Sequence, residues 1–382
     1  MKSIGIIAEY NPFHSGHKYQ IEQSREIIGA DVVVAAISGD FVQRGMPAVY
    51  DKWTRAKMAV CEGVNLVVEI PTIYACNSAE YFAKGGVEVL EGFGAIDFLS
   101  FGSESGSLTD LTSVAKVLKE KDDLIHRKVQ EYIKEGCSYP IARQKSAKEF
   151  LTEKELETLD KPNNILAIEY LKNINKMTPI TIKRVGDGYH QTATKIREQL
   201  SKQSDSNLQM IEQRYFDLVA AKILQSSGEY LESIFSAGEG LGNKLRNEIR
   251  YCKTREELIG RVKSKAYTYT RVSRLLTHVL LGITEETLRE SQSYIRVLAL
   301  DQKGATFLKE IKKKESQTLP IITNINKDIN CKKFNNGEQM VKTIGYDIMA
   351  SDIYNILCDK SLYENSDYVI KPYVNLVKGV EK

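Results

Sequence analysis

The chain opens Met1-Lys-Ser-Ile-Gly-Ile-Ile-Ala-Glu-Tyr-Asn-Pro-Phe-His-Ser-Gly-His17 and runs on as Lys18-Tyr-Gln-Ile-Glu-Gln-Ser-Arg-Glu-Ile-Ile28. Residues 3–8 are an apolar run of strand length, a Pro-bearing turn follows, and the stretch to residue 28 reads as a helix. Asp31-Val-Val-Val-Ala-Ala-Ile37 then reads as a second buried strand. Strand, helix and strand within about 35 residues make a βαβ unit, whose crossover is right-handed and whose ligands gather at the carboxyl ends of the strands. The turns after the two strands, residues 11–17 and 38–45, are therefore expected at one rim of a sheet, around one pocket.

The alternation continues. Residues 51–62 read as a helix, Leu66-Val-Val-Glu-Ile70 as a strand stopped by Pro71, residues 78–93 as a helix, and Ile96-Asp-Phe-Leu-Ser-Phe101 as a fourth strand leading into Gly102-Ser-Glu-Ser-Gly106. Repeated strand-then-helix units predict an α/β domain with a parallel sheet covered on both faces. Residues 108–157 turn helical and highly charged, the pattern of a solvated helical insertion. Lys161-Pro-Asn-Asn164 sets a turn before another helix, Ile180-Thr-Ile-Lys-Arg184 reads as a fifth strand, and a loop through His190 leads into a helix from Thr192. Beyond the polar stretch 201–207 the pattern is mostly helical, over 208–224, 241–251, 255–263 and 270–281. A late strand pair is read at 295–300 and 319–323 around a crossover helix. The domain boundary is set in the polar stretch, giving one domain over 1–203 and a mainly helical one over 204–382.

The totals narrow the class. The 382 residues carry a formal net charge of only +3, which by itself says nothing about nucleic acid. Six cysteines occur with no CxxC pair, so neither a zinc cluster nor a disulfide framework is indicated, and a reducing cytoplasm is the natural location. No stretch approaches the roughly 20 apolar residues of a membrane span, and the apolar run at the start breaks at Glu9, so neither export nor membrane insertion is expected.

His14-Ser15-Gly16-His17 is the unusual feature of the opening stretch. Two imidazoles at i and i+3, where a strand turns into a helix and the helix dipole already favours anions, can reach one set of phosphate oxygens. Charged or hydrogen-bonding histidines there would offset charge developing as pyrophosphate leaves an α-phosphate. Gly16 would let the backbone approach a nucleotide. Asp40, Gln43 and Arg44 lie on the loop after the second strand; Arg44 could grip a small carboxylate or a phosphate, and Asp40 could face a ligand or simply cap the loop. Thr194, Lys195 and Arg197 at a helix start suit the β- and γ-phosphates. Between residues 241 and 280 ten cations face three glutamates, with Tyr251, Tyr267 and Tyr269 interleaved, which suits a phosphate backbone and unpaired bases. His278 reads as a structural residue.

The His14–His17 pattern resembles the HxGH signature of the nucleotidyltransferase superfamily. Together with Ser38-Gly-Asp-Phe-Val-Gln-Arg-Gly-Met-Pro-Ala48, Phe101-Gly-Ser-Glu-Ser-Gly106, Pro162-Asn-Asn-Ile-Leu166, Lys183-Arg-Val-Gly-Asp-Gly-Tyr-His190 and Tyr267-Thr-Tyr-Thr-Arg-Val-Ser-Arg-Leu-Leu-Thr277, it makes the chain similar to the bacterial tRNA(Met) cytidine acetate ligase family, from Met1 to about Leu308. The chain departs from the superfamily in its second phosphate block, where Thr192 and Ala193 stand in place of two serines. The resemblance implies a Rossmann-like adenylation domain followed by a helical domain that binds tRNA. It also implies a reaction in which ATP, with Mg2+, activates acetate as acetyl-adenylate, and the wobble cytidine of elongator tRNA(Met) takes the acetyl group. It implies catalytic roles for His14, His17, Asp40 and Arg44. ATP would be held by Ile7, Ala8, Glu9, Tyr10, Asn11, Pro12, Phe13, His14, Ser15, Gly16, His17, Lys18, Tyr19 and Gln20, and by Gly102, one of Asn163 and Asn164, Arg184, Thr194, Lys195 and Arg197. RNA would meet Lys263, Lys265, Arg271 and Arg274. A cofactor-synthesis adenylyltransferase and a catalytically idle RNA-binding protein on the same scaffold are the competing readings.

Overall fold

The computed structural model describes residues 1–137, 139–184, 205–238, 240–265, 267–329 and 337–375. The strands are β1 (Ser3–Ala8), β2 (Val32–Ser38), the short hairpin β3 (Phe41–Val42) and β4 (Met46–Pro47), β5 (Leu66–Ile70), β6 (Phe98–Ser103), β7 (Thr178–Lys183), β8 (Ile295–Asp301), β9 (Ile321–Ile322) and β10 (Tyr373–Asn375). All but the hairpin join one sheet in the order β10-β8-β5-β2-β1-β6-β7, with β9 beside β8. Its pairings are parallel except β5 with β8.

Strand alternation sorts the core onto two faces. Val32, Val34 and Ala36 join one apolar cluster, while Val33, Ala35 and Ile37 join another with Ile4, Ile6 and Ile21. A parallel strand buried on both sides needs this unbroken apolar run. One face carries the helices Ser15–Ile28 and Lys52–Cys61, through Ile21, Ala56, Ala59 and Val60; the other carries Ala79–Glu91 and Pro162–Asn173. The expected insertion forms four helices, Leu108–Glu120, Asp122–Lys134, Tyr139–Lys148 and Glu153–Thr158. Leu111, Val114 and Leu118 of the first are buried, so this region is packed on the body along one stripe.

The later half of the chain is mainly helical, as expected, and its strands join the sheet. The expected helices are present at Asp205–Gln225, Leu241–Glu248, Arg255–Val262 and Tyr269–Leu281, but β8, β9 and β10 extend the sheet begun by the first seventy residues. β8 lies antiparallel to β5, a direction that an apolar run does not encode. His278, read as structural, is buried with Nδ1 3.2 Å from the Phe235 carbonyl and Nε2 3.0 Å from the Cys76 carbonyl; burial pulls its pKa down to about 4.

A buried charge cluster joins the early and late segments. Lys52 Nζ donates to Glu69 at 2.8 and 3.0 Å and to Asp367 at 2.7 Å, and Arg296 reaches the same Asp367 oxygen at 2.7 Å. All four side chains are buried. Burial raises a carboxylate's pKa, but at Asp367 the Arg296 and Lys52 charges outweigh it and hold the group below the usual range. Replacing Asp367 by asparagine leaves two buried cations short of one charge. Asp367→Asn is expected to cost about 3 kcal/mol, read as a lowered urea midpoint at unchanged slope.

Candidate functional site

The helix Ser15–Ile28 begins at the carboxyl end of β1, and its first turn is built by the two histidines themselves. His14 is the N-cap: its Nδ1 accepts from the Gly16 N–H at 3.1 Å, while His17 Nδ1 accepts from the His14 N–H at 3.3 Å. This is a capping box with imidazole in both positions. The rings stack at 3.7 Å between centroids, 23° from parallel. A Cβ on Gly16 would stand 3.0 Å from the His14 ring, so glycine here leaves that ring its seat. Since each Nδ1 accepts, each ring carries its proton on Nε2, and the pair offers two N–H donors from one helix start. Burial, then the neighbouring His14 and Arg184, hold the pKa of His17 well below the ordinary value, so it is neutral at pH 7.

Tyr10 orients the second ring. Its φ of 48° is costly for a bulky side chain, and the residue is held there by burial, edge-on to Phe13 at 4.9 Å and to His17 at 4.8 Å. Ile7 is core, packed where Gly86 leaves room for it. Glu9 and Asn11 tie the histidine loop to the next one: Glu9 Oε1 accepts from the Gln43 N–H at 3.0 Å and Asn11 Oδ1 from the Val49 N–H at 2.8 Å. Gln20 Nε2 donates to the Ser100 carbonyl at 3.3 Å, docking the helix on β6. Lys18 pairs with Glu62 at 3.0 Å.

Later turns converge on the histidines. Arg184, just past β7, is close enough to His17 to bear on its ionisation, and its Nη1 donates to Asn163 Oδ1 at 3.3 Å. Its side chain runs past Gly102, 3.5 Å from where a Cβ would sit. Glu104 caps the helix Pro162–Asn173, accepting from the Asn163 amide side chain at 2.7 Å and from the Asn164 N–H at 2.9 Å. Asn164 returns the bond, its Oδ1 accepting from the Glu104 N–H at 3.0 Å, and is buried. Of the two asparagines, the half-exposed Asn163 is thus the one beside Arg184, and Asn164 holds the loop. Thr194, Lys195 and Arg197, and with them His190, lie outside the described residues.

Asp40 is held at both carboxylate oxygens. It is 3% exposed, with Oδ1 accepting from the Lys52 N–H at 2.7 Å and Oδ2 from the Ser351 hydroxyl at 2.6 Å. Burial pushes its pKa up. A carboxylate so enclosed fixes the loop that carries Arg44. Arg44 itself is exposed at the loop tip. Arg55 was not singled out from sequence, because a cation on a helix normally reads as solvated. It is fully buried and donates to the carbonyls of Glu9, Ser38, Gly39 and Tyr50, joining the ends of β1 and β2.

The four basic residues expected at RNA divide in two. Lys263 and Lys265 are exposed. Arg271 instead lies over the Tyr267 ring at 5.0 Å and donates to the Ser236 carbonyl at 3.4 Å, and burial lowers the pKa of the half-buried Arg274. Among the described residues no group of three or more His, Cys, Asp or Glu side chains could hold a metal ion, and no helix is long and apolar enough to cross a membrane. A cavity of about 700 Å3 lies at the opposite rim, lined by Met1, Lys2, Asp97 and Thr178 at the strands' amino ends. Ligands of open α/β sheets bind at the carboxyl ends, where the histidines are.

The chain matches the HIGH Nucleotidyl Transferase family over residues 1–368. A tRNA(Met) cytidine acetate ligase from Thermoanaerobacter sp. (strain X514) is 37% identical over 412 residues, covering 98% of this chain and 100% of the relative. One from Clostridium perfringens (strain ATCC 13124) is 36% identical over 414 residues, with the same coverage. The crystal structure of Thermotoga maritima TmcAL bound with alpha-thio ATP superposes with a TM-score of 0.89 at 28% identity, covering 99% of this chain and 100% of that one.

The histidine geometry has a direct readout. Nitrogen NMR of imidazole-labelled protein should show His17 as the neutral Nε2–H tautomer at pH 6.5, with its midpoint below that value; a midpoint at or above 6.5 would contradict it. The linked effect has a definite sign. The unfolded chain takes the proton first, so His17 costs stability progressively as pH falls below about 6.5.

Proposed function

The chain belongs to the tRNA(Met) cytidine acetate ligase family, and from this we propose that it activates acetate with ATP and transfers the acetyl group to the wobble cytidine of elongator tRNA(Met). The observation that carries the reading is the stacked pair of imidazoles at a helix start, with Arg184, Gly102 and Asn163 beside it. An acetate oxygen attacks the α-phosphorus of ATP, the bond to the bridging oxygen breaks, and pyrophosphate leaves. The Nε2–H donors of His14 and His17, the helix start and the Arg184 guanidinium meet the charge that develops on the phosphates. Magnesium accompanying ATP would take its ligands from phosphate and water and would offset charge on the phosphates.

In the second step the exocyclic amine of the cytidine attacks the acyl carbon, AMP leaves with the bridging oxygen, and the amine loses a proton to give N4-acetylcytidine. Neither step needs a covalent enzyme intermediate, so positioning and charge stabilisation supply the catalysis. Arg44 at the loop tip is the cation assigned to the reacting carboxylate or the RNA. Lys263 and Lys265, with the exposed rings of Tyr251 and Tyr269, suit a phosphate backbone and unstacked bases. The compartment we assign is the cytoplasm, in keeping with five free cysteines among the described residues.

The test is acetate-dependent exchange of labelled pyrophosphate into ATP, followed by mass analysis of nucleosides from tRNA incubated with the protein, ATP and acetate. Exchange that requires a phosphorylated metabolite in place of acetate would overturn the reading. His14→Ala and His17→Ala are each expected to lower exchange by about a hundredfold or more. Lys263→Ala and Lys265→Ala should leave exchange intact, weaken tRNA binding and reduce its salt slope by about 1 per lost phosphate contact.

A further inference from the structure

The loop that carries Arg44 is held from outside the sheet by the helix Tyr269–Leu281. The Ser273 hydroxyl lies 2.5 Å from the Arg44 carbonyl and 3.2 Å from the Gly45 carbonyl. Gly45 has φ 69°, and a Cβ there would collide with the Arg274 backbone, so only glycine allows loop and helix to come this close. Behind Ser273 stands Arg255, whose Nη2 donates to the same hydroxyl oxygen at 2.6 Å. Ser273 is 1% and Arg255 2% exposed.

The proton count makes this contact directional. A guanidinium has donors and no acceptor, so toward Arg255 the serine oxygen can only accept, and its single proton is left for the loop carbonyls. The other arm of Arg255 runs to the surface. Its Nη1 donates to the Tyr269 hydroxyl at 3.1 Å and to Glu256 at 2.6 Å, and the Tyr269 hydroxyl donates to Glu256 at 2.6 Å. The Tyr269 ring is 42% exposed and packs 5.7 Å from the guanidinium. Four side chains thus connect an exposed aromatic face to the backbone of Arg44.

We propose that Arg255 and Ser273 are positioning residues for Arg44, holding its loop at the site rim and making that placement depend on the exposed Tyr269–Glu256 face. The proposal deepens the reading above, on which its activity assay rests. A partner that engages the Tyr269 ring moves or secures Arg255, and the serine passes this to the loop. Arg44 then acts with full effect only when the helical region is engaged.

A double-mutant cycle tests the connection, since a residue acting through Arg44 has nothing left to act on once that side chain is gone. Ser273→Ala is expected to lower the rate of tRNA acetylation about tenfold, and Tyr269→Phe, at an exposed position that does not threaten the fold, about two- to tenfold. In an Arg44→Ala background Ser273→Ala should be silent. Losses that multiply with that of Arg44→Ala, or an Arg44→Ala variant acetylating at the wild-type rate, overturn the proposal. Amide hydrogen exchange over residues 41–48 reads the same hold without any substrate. It should speed up in Ser273→Ala and, more weakly, in Tyr269→Phe; unchanged exchange overturns the proposal whatever the enzyme's substrate. A wild-type protein that exchanges normally there but fails to acetylate tRNA would instead sink the function reading.

Discussion

The ion cluster around Lys52 is the constraint on which the rest of the fold depends. Two cations, Lys52 and Arg296, and two carboxylates, Glu69 and Asp367, are withdrawn from water together. Such a group gains little net stability over an apolar core, because desolvation consumes most of the Coulomb attraction. It gains selectivity: any packing that omits one member strands a buried charge. Lys52 and Glu69 come from the first βαβ units, Arg296 from the late strand β8, and Asp367 from the segment beyond the last long helix. Their mutual neutralisation commits the two ends of the chain to one arrangement.

From that cluster the hold extends to the site by short steps. The Lys52 N–H anchors Asp40, Ser351 closes on the other Asp40 oxygen, and Ser351 also lies 3.3 Å from Asp367. Arg55, three residues on from Lys52, gathers the carbonyls at the ends of β1 and β2. The loops bearing the histidines and Arg44 therefore stand on fully buried polar groups, and the histidine pair completes its own first helical turn. A site of this kind is preorganised: its donors are aimed before any substrate arrives, so little reorganisation opposes the reaction.

Much of this was legible in the residues. The strands at 3–8, 32–38, 66–70 and 98–103 declare themselves by unbroken apolar runs between turns, and His14 to His17 stands out because paired imidazoles at a strand-to-helix turn are chemically conspicuous. The hidden parts have physical reasons. β10 is three residues long, too short to show any periodicity. The direction of β8 leaves no mark on its composition. Arg55, Arg255 and Arg296 look like ordinary solvated cations in a charged chain, and only tertiary packing turns them inward. Asp40, read as a ligand contact or a cap, is buried with one hydrogen bond on each oxygen, a placement that the loop sequence does not show. Asn163 and Asn164, indistinguishable in sequence, are separated by the helix start that buries one and half-exposes the other.

The antiparallel seat of β8 beside β5 has a consequence for the life of the chain on the ribosome. Lys52 waits for its second carboxylate partner 315 residues further along, and at ~5–20 residues per second that delay is on the order of half a minute. Through that interval the strands made first present β5 as an open edge. An unpaired apolar edge is a template for other nascent chains. The high contact order of this closure therefore makes synthesis itself the vulnerable period.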